Sequence, residues 1–177
     1  WVFSTPQETQ MRCGCVDMTS EGGTNDTQYF LSVIGNEFTA TNETALAVRL
    51  PELHKGSMNS IDIQLARLKA YVSKKSTVEI WVTRDPTALT SSTGAWEAVG
   101  EGNVEKFAPT VSGQITLDKN KAEMIDLLPT LPDINNTQTN PTPDKIEAFL
   151  THGDIMILFV TGVSVDTRVI MQFGEEI

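Results

Sequence analysis

The stretch that decides the fold runs from Thr77 to Phe107, TVEIWVTRDPTALTSSTGAWEAVGEGNVEKF. In its opening run Val78, Ile80 and Val82 share one parity, while Glu79, Trp81 and Thr83 share the other. A two-residue period of this kind belongs to a strand with one apolar and one more polar face. Arg84-Asp85-Pro86 ends the run, because proline cannot donate to a ladder and aspartate favours turns. After a polar loop, 96–99 and 104–107 read as two further short strands around a glycine-flanked turn. Trp81 falls on the polar face, where it either covers a loop or contacts a ligand.

The same punctuation recurs on both sides. Apolar, β-branched runs at 28–34, 45–50, 60–72, 114–117, 124–127, 155–160 and 168–173 are each bounded by Gly, Pro, Asn, Asp or Ser. Ile61, Ile63 and Leu65 alternate with Asp62 and Gln64, again the pattern of a half-buried antiparallel strand. Ile155 to Val160 (IMILFV) does not alternate and predicts a central strand covered on both faces. The closing segment from Val163 is expected to pair with that strand through Thr161-Gly162. Helix is confined to about 144–150, behind Pro143 and an acidic first turn. The connection before it, LPTLPDINNTQTNPT at 128–142, has no periodicity of its own. The expected fold is therefore all-β: one antiparallel β-sandwich spanning 1–177, jelly-roll-like, with 1–27 an irregular N-terminal segment.

Composition sets the outer limits. The chain of 177 residues carries a net charge of -10, which opposes nucleic acid and anionic membrane surfaces as main ligands. No run reaches the roughly 18 apolar residues that would span a bilayer, so no membrane insertion is expected. The two cysteines, Cys13 and Cys15, lack the second pair of ligands that zinc requires, and His54 and His152 are isolated. They read as small thiols, with a strained disulfide as the alternative.

Candidate sites are sparse. The acidic loop 17–26 has oxygen ligands and glycines, but it lacks the acidic spacing and terminal glutamate of a calcium loop. Asn25, Asn42 and Asn135 each open an N-x-T tripeptide, a glycan acceptor only on a secretory route. Trp81, Trp96, Tyr29 and Tyr71 could stack on sugar rings, although aromatics at alternating positions more often pack a sheet face. Glu97, Glu101 and Glu105 read as outward positions rather than an acid/base pair. The contact candidates are thus Trp81, Arg84, Asp85 and Trp96, with no catalytic residue, metal ligand or cofactor expected.

Two segments carry a family-level resemblance. Leu150-Thr151-His152-Gly153-Asp154, followed by IMIL, resembles the opening of a late strand in jelly-roll sandwiches, the trimeric tumour-necrosis-factor/C1q-like domains among them. The run VEIWVTRDP with Trp96 and Val99 is similar to a hairpin of discoidin-like carbohydrate-binding sandwiches. It also resembles β-sandwich domains of virus and tailed-phage particles, such as decoration, head-fibre or tail-appendage proteins. The threonine- and asparagine-rich loops suit the particle proteins best. The resemblance covers about 46–107 and 150–173 and transfers no site residue. It implies a non-enzymatic structural or display protein at a virion or extracellular surface, packing on itself, with a homotrimer favoured, and on a shell protein. The alternative it implies is a carbohydrate-binding or adhesin module with a glycan partner.

Overall fold

A computed structural model of the chain describes residues 29–59, 61–100, 102–130 and 148–175. Fifteen strands run through the described residues. They are β1 (Tyr29–Ile34), β2 (Phe38–Ala40), β3 (Glu43–Arg49), β4 (Leu53–His54), β5 (Ser57–Met58), β6 (Ile63–Val72), β7 (Ser76–Thr83) and β8 (Leu89–Ser91). After these come β9 (Glu97–Val99), β10 (Val104–Phe107), β11 (Ile115–Leu117), β12 (Glu123–Thr130), β13 (Phe149–Leu150), β14 (Ile155–Thr161) and β15 (Val165–Glu175). Single 3-10 turns at Pro86–Ala88 and Lys119–Lys121 are the helical elements among them.

The strands form two principal sheets, ordered β1-β15-β6-β13 (with β2 also on β15) and β12-β7-β14-β3-β10-β9. Every pairing is antiparallel. Renumbered 1 to 8 in chain order, the strands β1, β3, β6, β7, β12, β13, β14 and β15 lie as 1-8-3-6 and 2-7-4-5. That order is the double Greek key of a jelly roll.

Between the sheets lies the main core. Val33, Leu68, Val169, Met171 and Phe173 face Leu46, Val48, Val78, Ile80, Met156 and Leu158. Each such side chain, taken fully from water, contributes about 1.5–3 kcal/mol. β14 sits between β7 and β3, and all of Ile155 to Val160 is buried. Met156, Leu158 and Val160 enter the main core, whereas Ile155, Ile157 and Phe159 enter a second cluster on the outer face. The missing alternation in IMILFV is thus explained by a core on each side of one strand.

The second core is roofed by the segment between β7 and β12. There β8 pairs with β11, placing Ala88, Ile115 and Leu117 over Ala47, Ile157 and Phe159. The same segment adds β10 and β9 beyond β3, widening the sheet at its edge.

Two expectations are corrected. β15 does not pair with β14; it lies in the opposite sheet, between β1 and β6. Both flanks of β14 are already taken by β7 and β3, and β15 alternates buried with exposed residues, so it needs a sheet with one open face. The expected helix at 144–150 gives way at its end to β13, where Phe149 and Leu150 pair with Gln64 and Ile63. Leu150 is fully buried there, and the Ala148 carbonyl accepts from the Leu65 amide. Residues 144–147 lie outside the described residues, as do 1–27 with Cys13, Cys15, Asn25 and the loop 17–26, and Asn135.

Candidate functional site

Strand ends bring the first candidate into place. Arg84 follows β7, and its Nε donates to Asp154 Oδ1 at 2.6 Å while Nη2 donates to Thr151 Oγ1 at 3.1 Å. Asp154 Oδ2 accepts from the Thr151 amide at 2.8 Å and from its hydroxyl at 2.9 Å. The carboxylate therefore closes the turn that launches β14, with Gly153 at φ +86° in the left-handed region that suits glycine. Burial pushes the Asp154 carboxyl up, but the Arg84 and Thr151 hydrogen bonds and the Arg84 charge outweigh it and hold it below its ordinary range. Arg84 is raised in turn by its hydrogen bond to Asp154.

Asp85 points elsewhere. Its Oδ1 accepts from the Thr87 amide and hydroxyl at 2.8 and 2.6 Å, capping the 3-10 turn, and those bonds lower its pKa. The adjacent residues Arg84 and Asp85 thus hold different loops and do not converge.

Trp81 and Trp96 do converge: both pack on the second core. Each ring carries a cation of its own chain. Lys119 Nζ lies 4.9 Å from the Trp81 centroid and 3.9 Å from that of Phe159, and the Arg49 guanidinium lies 4.3 Å from that of Trp96. Trp96 also meets Phe107 edge-to-face at 6.1 Å. Arg49, at the end of β3, donates from Nε to Glu105 Oε2 at 2.6 Å.

Between the two arginines lies a cleft of about 500 Å³, lined by Arg49, Pro51, Leu53, Arg84, Pro86 and Ile155. Its walls mix apolar and charged groups: the two guanidinium groups are paired with Glu105 and Asp154, and Glu52 adds a carboxylate.

Two buried glutamates flank β14, with Glu43 opposite Val160 and Glu79 opposite Phe159. Both are hydrogen-bonded within the chain, Glu43 at the wall of a pocket of about 260 Å³. Glu43 accepts from the Thr41 amide, the Ser112 hydroxyl and the Gly113 amide. Glu79 accepts from Trp81 Nε1 at 2.8 Å, Lys119 Nζ at 2.6 Å and the Thr161 hydroxyl at 2.8 Å. Burial raises the Glu79 pKa, but those hydrogen bonds together with the Lys119 charge bring it below the ordinary value. Both carboxylates thus anchor the roof of the second core.

Compared with family models, curated proteins and solved structures, the chain matches none. Among the described residues no three His, Cys, Asp or Glu side chains gather as a metal site requires. No described helix is long and apolar enough to cross a membrane. Asn42 stands on an exposed turn at φ +50°, its Oδ1 accepting from the Gly162 amide.

Sequence reasoning missed Arg49, Glu43, Glu79 and Lys119. Arg49 had a signal, a single cation closing the apolar run ALAV. Glu79 had one too, a carboxylate beside Trp81 in a strand, but its partners lie 40 and 82 residues away.

Proposed function

We propose that this chain is a non-enzymatic structural or display domain that works by assembly. The observation that carries the reading is β12, an edge strand with Met124, Ile125 and Leu127 exposed at 46 %, 41 % and 47 %. Apolar side chains gathered on one edge mark a contact surface. The buried carboxylates, meanwhile, have their acceptors occupied by the chain's own donors. The placement on a virus or phage particle follows from the resemblance of the strand-loop pattern, and the jelly-roll order is compatible with it. Light scattering on the purified chain, with identification of whatever co-purifies, tests the reading. A stable trimer or a co-purifying shell protein is expected. A monomer at every concentration with no bound protein would overturn it.

The cleft between Arg49 and Arg84 is the place for a second reading, a glycan-binding module. It predicts glycan binding that is lost in Arg84→Ala. Silence across a glycan array would remove it.

A further inference from the structure

The segment that roofs the second core leaves a gap at one end. On one side of it lie the loop 112–113, β11 and the turn at Lys119, and on the other the turn joining β2 to β3. This is the pocket of about 260 Å³, and Ile115, Leu117 and Phe159 form its apolar floor. A volume just under the range of drug-sized sites suits a ligand no larger than a monosaccharide.

The rim is fixed by the chain's own hydrogen bonds. The Asn42 backbone amide donates to the Gly162 carbonyl at 3.1 Å, and the Gly162 amide donates to Asn42 Oδ1 at 3.0 Å. The Ser164 amide donates to Thr41 Oγ1 at 3.0 Å. Asn42 stands at φ +50°, a left-handed conformation that asparagine tolerates better than most residues. A rim held in place before binding lowers the ordering cost of taking a ligand.

These bonds also settle what each lining group has left to offer. With Oδ1 accepting from Gly162, the Asn42 side chain presents Nδ2 as a donor. Thr41 Oγ1 accepts from Ser164 and keeps its own proton to donate. Glu43 Oε1 takes two donors, the Thr41 amide and the Ser112 hydroxyl. Its Oε2 takes one, the Gly113 amide, so one carboxylate lone pair stays available. Lys119 Nζ directs one proton to Glu79 and has others to give. Thr116 is exposed and adds a hydroxyl that both donates and accepts.

Charge decides the class of ligand. The buried Glu43 opposes an anion, and Lys119 opposes a cation. Neither charge waits for a counter-ion. Glu43 is met by two amides and a hydroxyl, and Lys119 by Glu79 and the rings of Trp81 and Phe159. A purely apolar ligand would take water from Glu43 Oε2 and Asn42 Nδ2 without replacing its hydrogen bonds. A neutral molecule with several hydroxyls satisfies donors and acceptors together, and its C–H groups rest on the apolar floor.

We infer that this pocket binds a neutral, hydroxyl-rich ligand of monosaccharide size. Glu43 Oε2 accepts from one of its hydroxyls, while Asn42 Nδ2 and Lys119 Nζ donate to others. The site is separate from the cleft between Arg49 and Arg84, and it does not depend on assembly.

Amide NMR titration of the folded chain tests it, with glucose, galactose, mannose and N-acetylglucosamine as neutral probes and glucosamine and glucuronate as charged ones. At least one neutral sugar should shift the amides of 41–43 and 112–117 saturably, and bind more tightly than either charged probe. Asn42→Gly accepts the left-handed turn and removes Nδ2, and Thr116→Val keeps the shape of an exposed side chain and removes its hydroxyl. Each should weaken binding about fivefold to tenfold, near the worth of one hydrogen bond, with melting as the folding control. Arg84→Ala should leave this binding unchanged. No saturable shift with any neutral sugar would overturn the inference, as would tighter binding of a charged probe. Saturable shifts centred on Arg49 and Arg84 would place the sugar in the other cleft, supporting the second reading and overturning this one.

Discussion

The Lys119 ammonium lies 2.6 Å from Glu79 Oε2, tying the 3-10 turn at Lys119–Lys121 to the outer face of β7. The same ammonium sits over Phe159 and Trp81, so one cation joins the sheet, the second core and its roof. The pair is half shielded: the Glu79 side chain is 12 % exposed and that of Lys119 38 %.

Breaking this pair should loosen the roof. Glu79→Gln keeps the shape but removes the charge, and is expected to cost about 1–2 kcal/mol. In a double-mutant cycle with Lys119→Met, urea unfolding should show a coupling of more than about 0.5 kcal/mol. Additive effects of the two substitutions would mean that the contact is not energetically coupled.

Acid should do what the substitution does. Glu79 and Asp154 have folded-state pKa values below their ordinary ones, so their contribution is complete above the ordinary carboxylate range. It is lost as pH falls below about 4 and through the folded values. The stability gap between wild type and Glu79→Gln should therefore be widest near neutrality and shrink toward about pH 3. A gap unchanged on acidification would show that Glu79 acts through shape alone.

Glycine at 94 is required by the roof. Its φ is +100°, and an added Cβ would lie 2.9 Å from Phe107 Cζ. Gly94→Ala should destabilise by about 1–3 kcal/mol and shift tryptophan emission through the Trp96–Phe107 contact. An unaltered emission spectrum with wild-type stability would contradict this.

β15 holds its sheet together. Val169, Met171 and Phe173 are fully buried between β1 and β6. Met171→Ala is expected to cost about 2–5 kcal/mol, and removal of 168–173 should leave the chain without cooperative unfolding. The exposed Val163→Ser, at 70 % exposure, should be silent and serves as the control. A folded, assembled truncation would refute the placement of this strand.

Much of the scaffold was legible because strand signals are local. The alternation in VEIWVT located β7, and the unbroken IMILFV marked a strand covered twice. The short strands β2, β4, β5, β8 and β13 were not foreseen. With two or three residues each they have no period to read, and they exist only because a longer strand or a partner turn pairs with them. Phe149 and Leu150 show the cost: the proline and acidic residues upstream favour a helix, yet β6 captures these two as a strand.

The candidate site was less legible for the same reason. Trp81 and Trp96 could be singled out by residue type, but not that Lys119 and Arg49 would lie over their rings. Asp85 could be seen as a turn residue, and its cap on Thr87 fits that local chemistry.

From its sequence alone this chain is determined to be an all-β protein with a central strand buried on both faces, because periodicity and turn chemistry act over a few residues. Only the tertiary structure decided that β15 crosses to the opposite sheet, and that 84–122 roofs one face of the sandwich. Those outcomes depend on which strand edges are already occupied and on pairings across tens of residues. No local pattern carries that information.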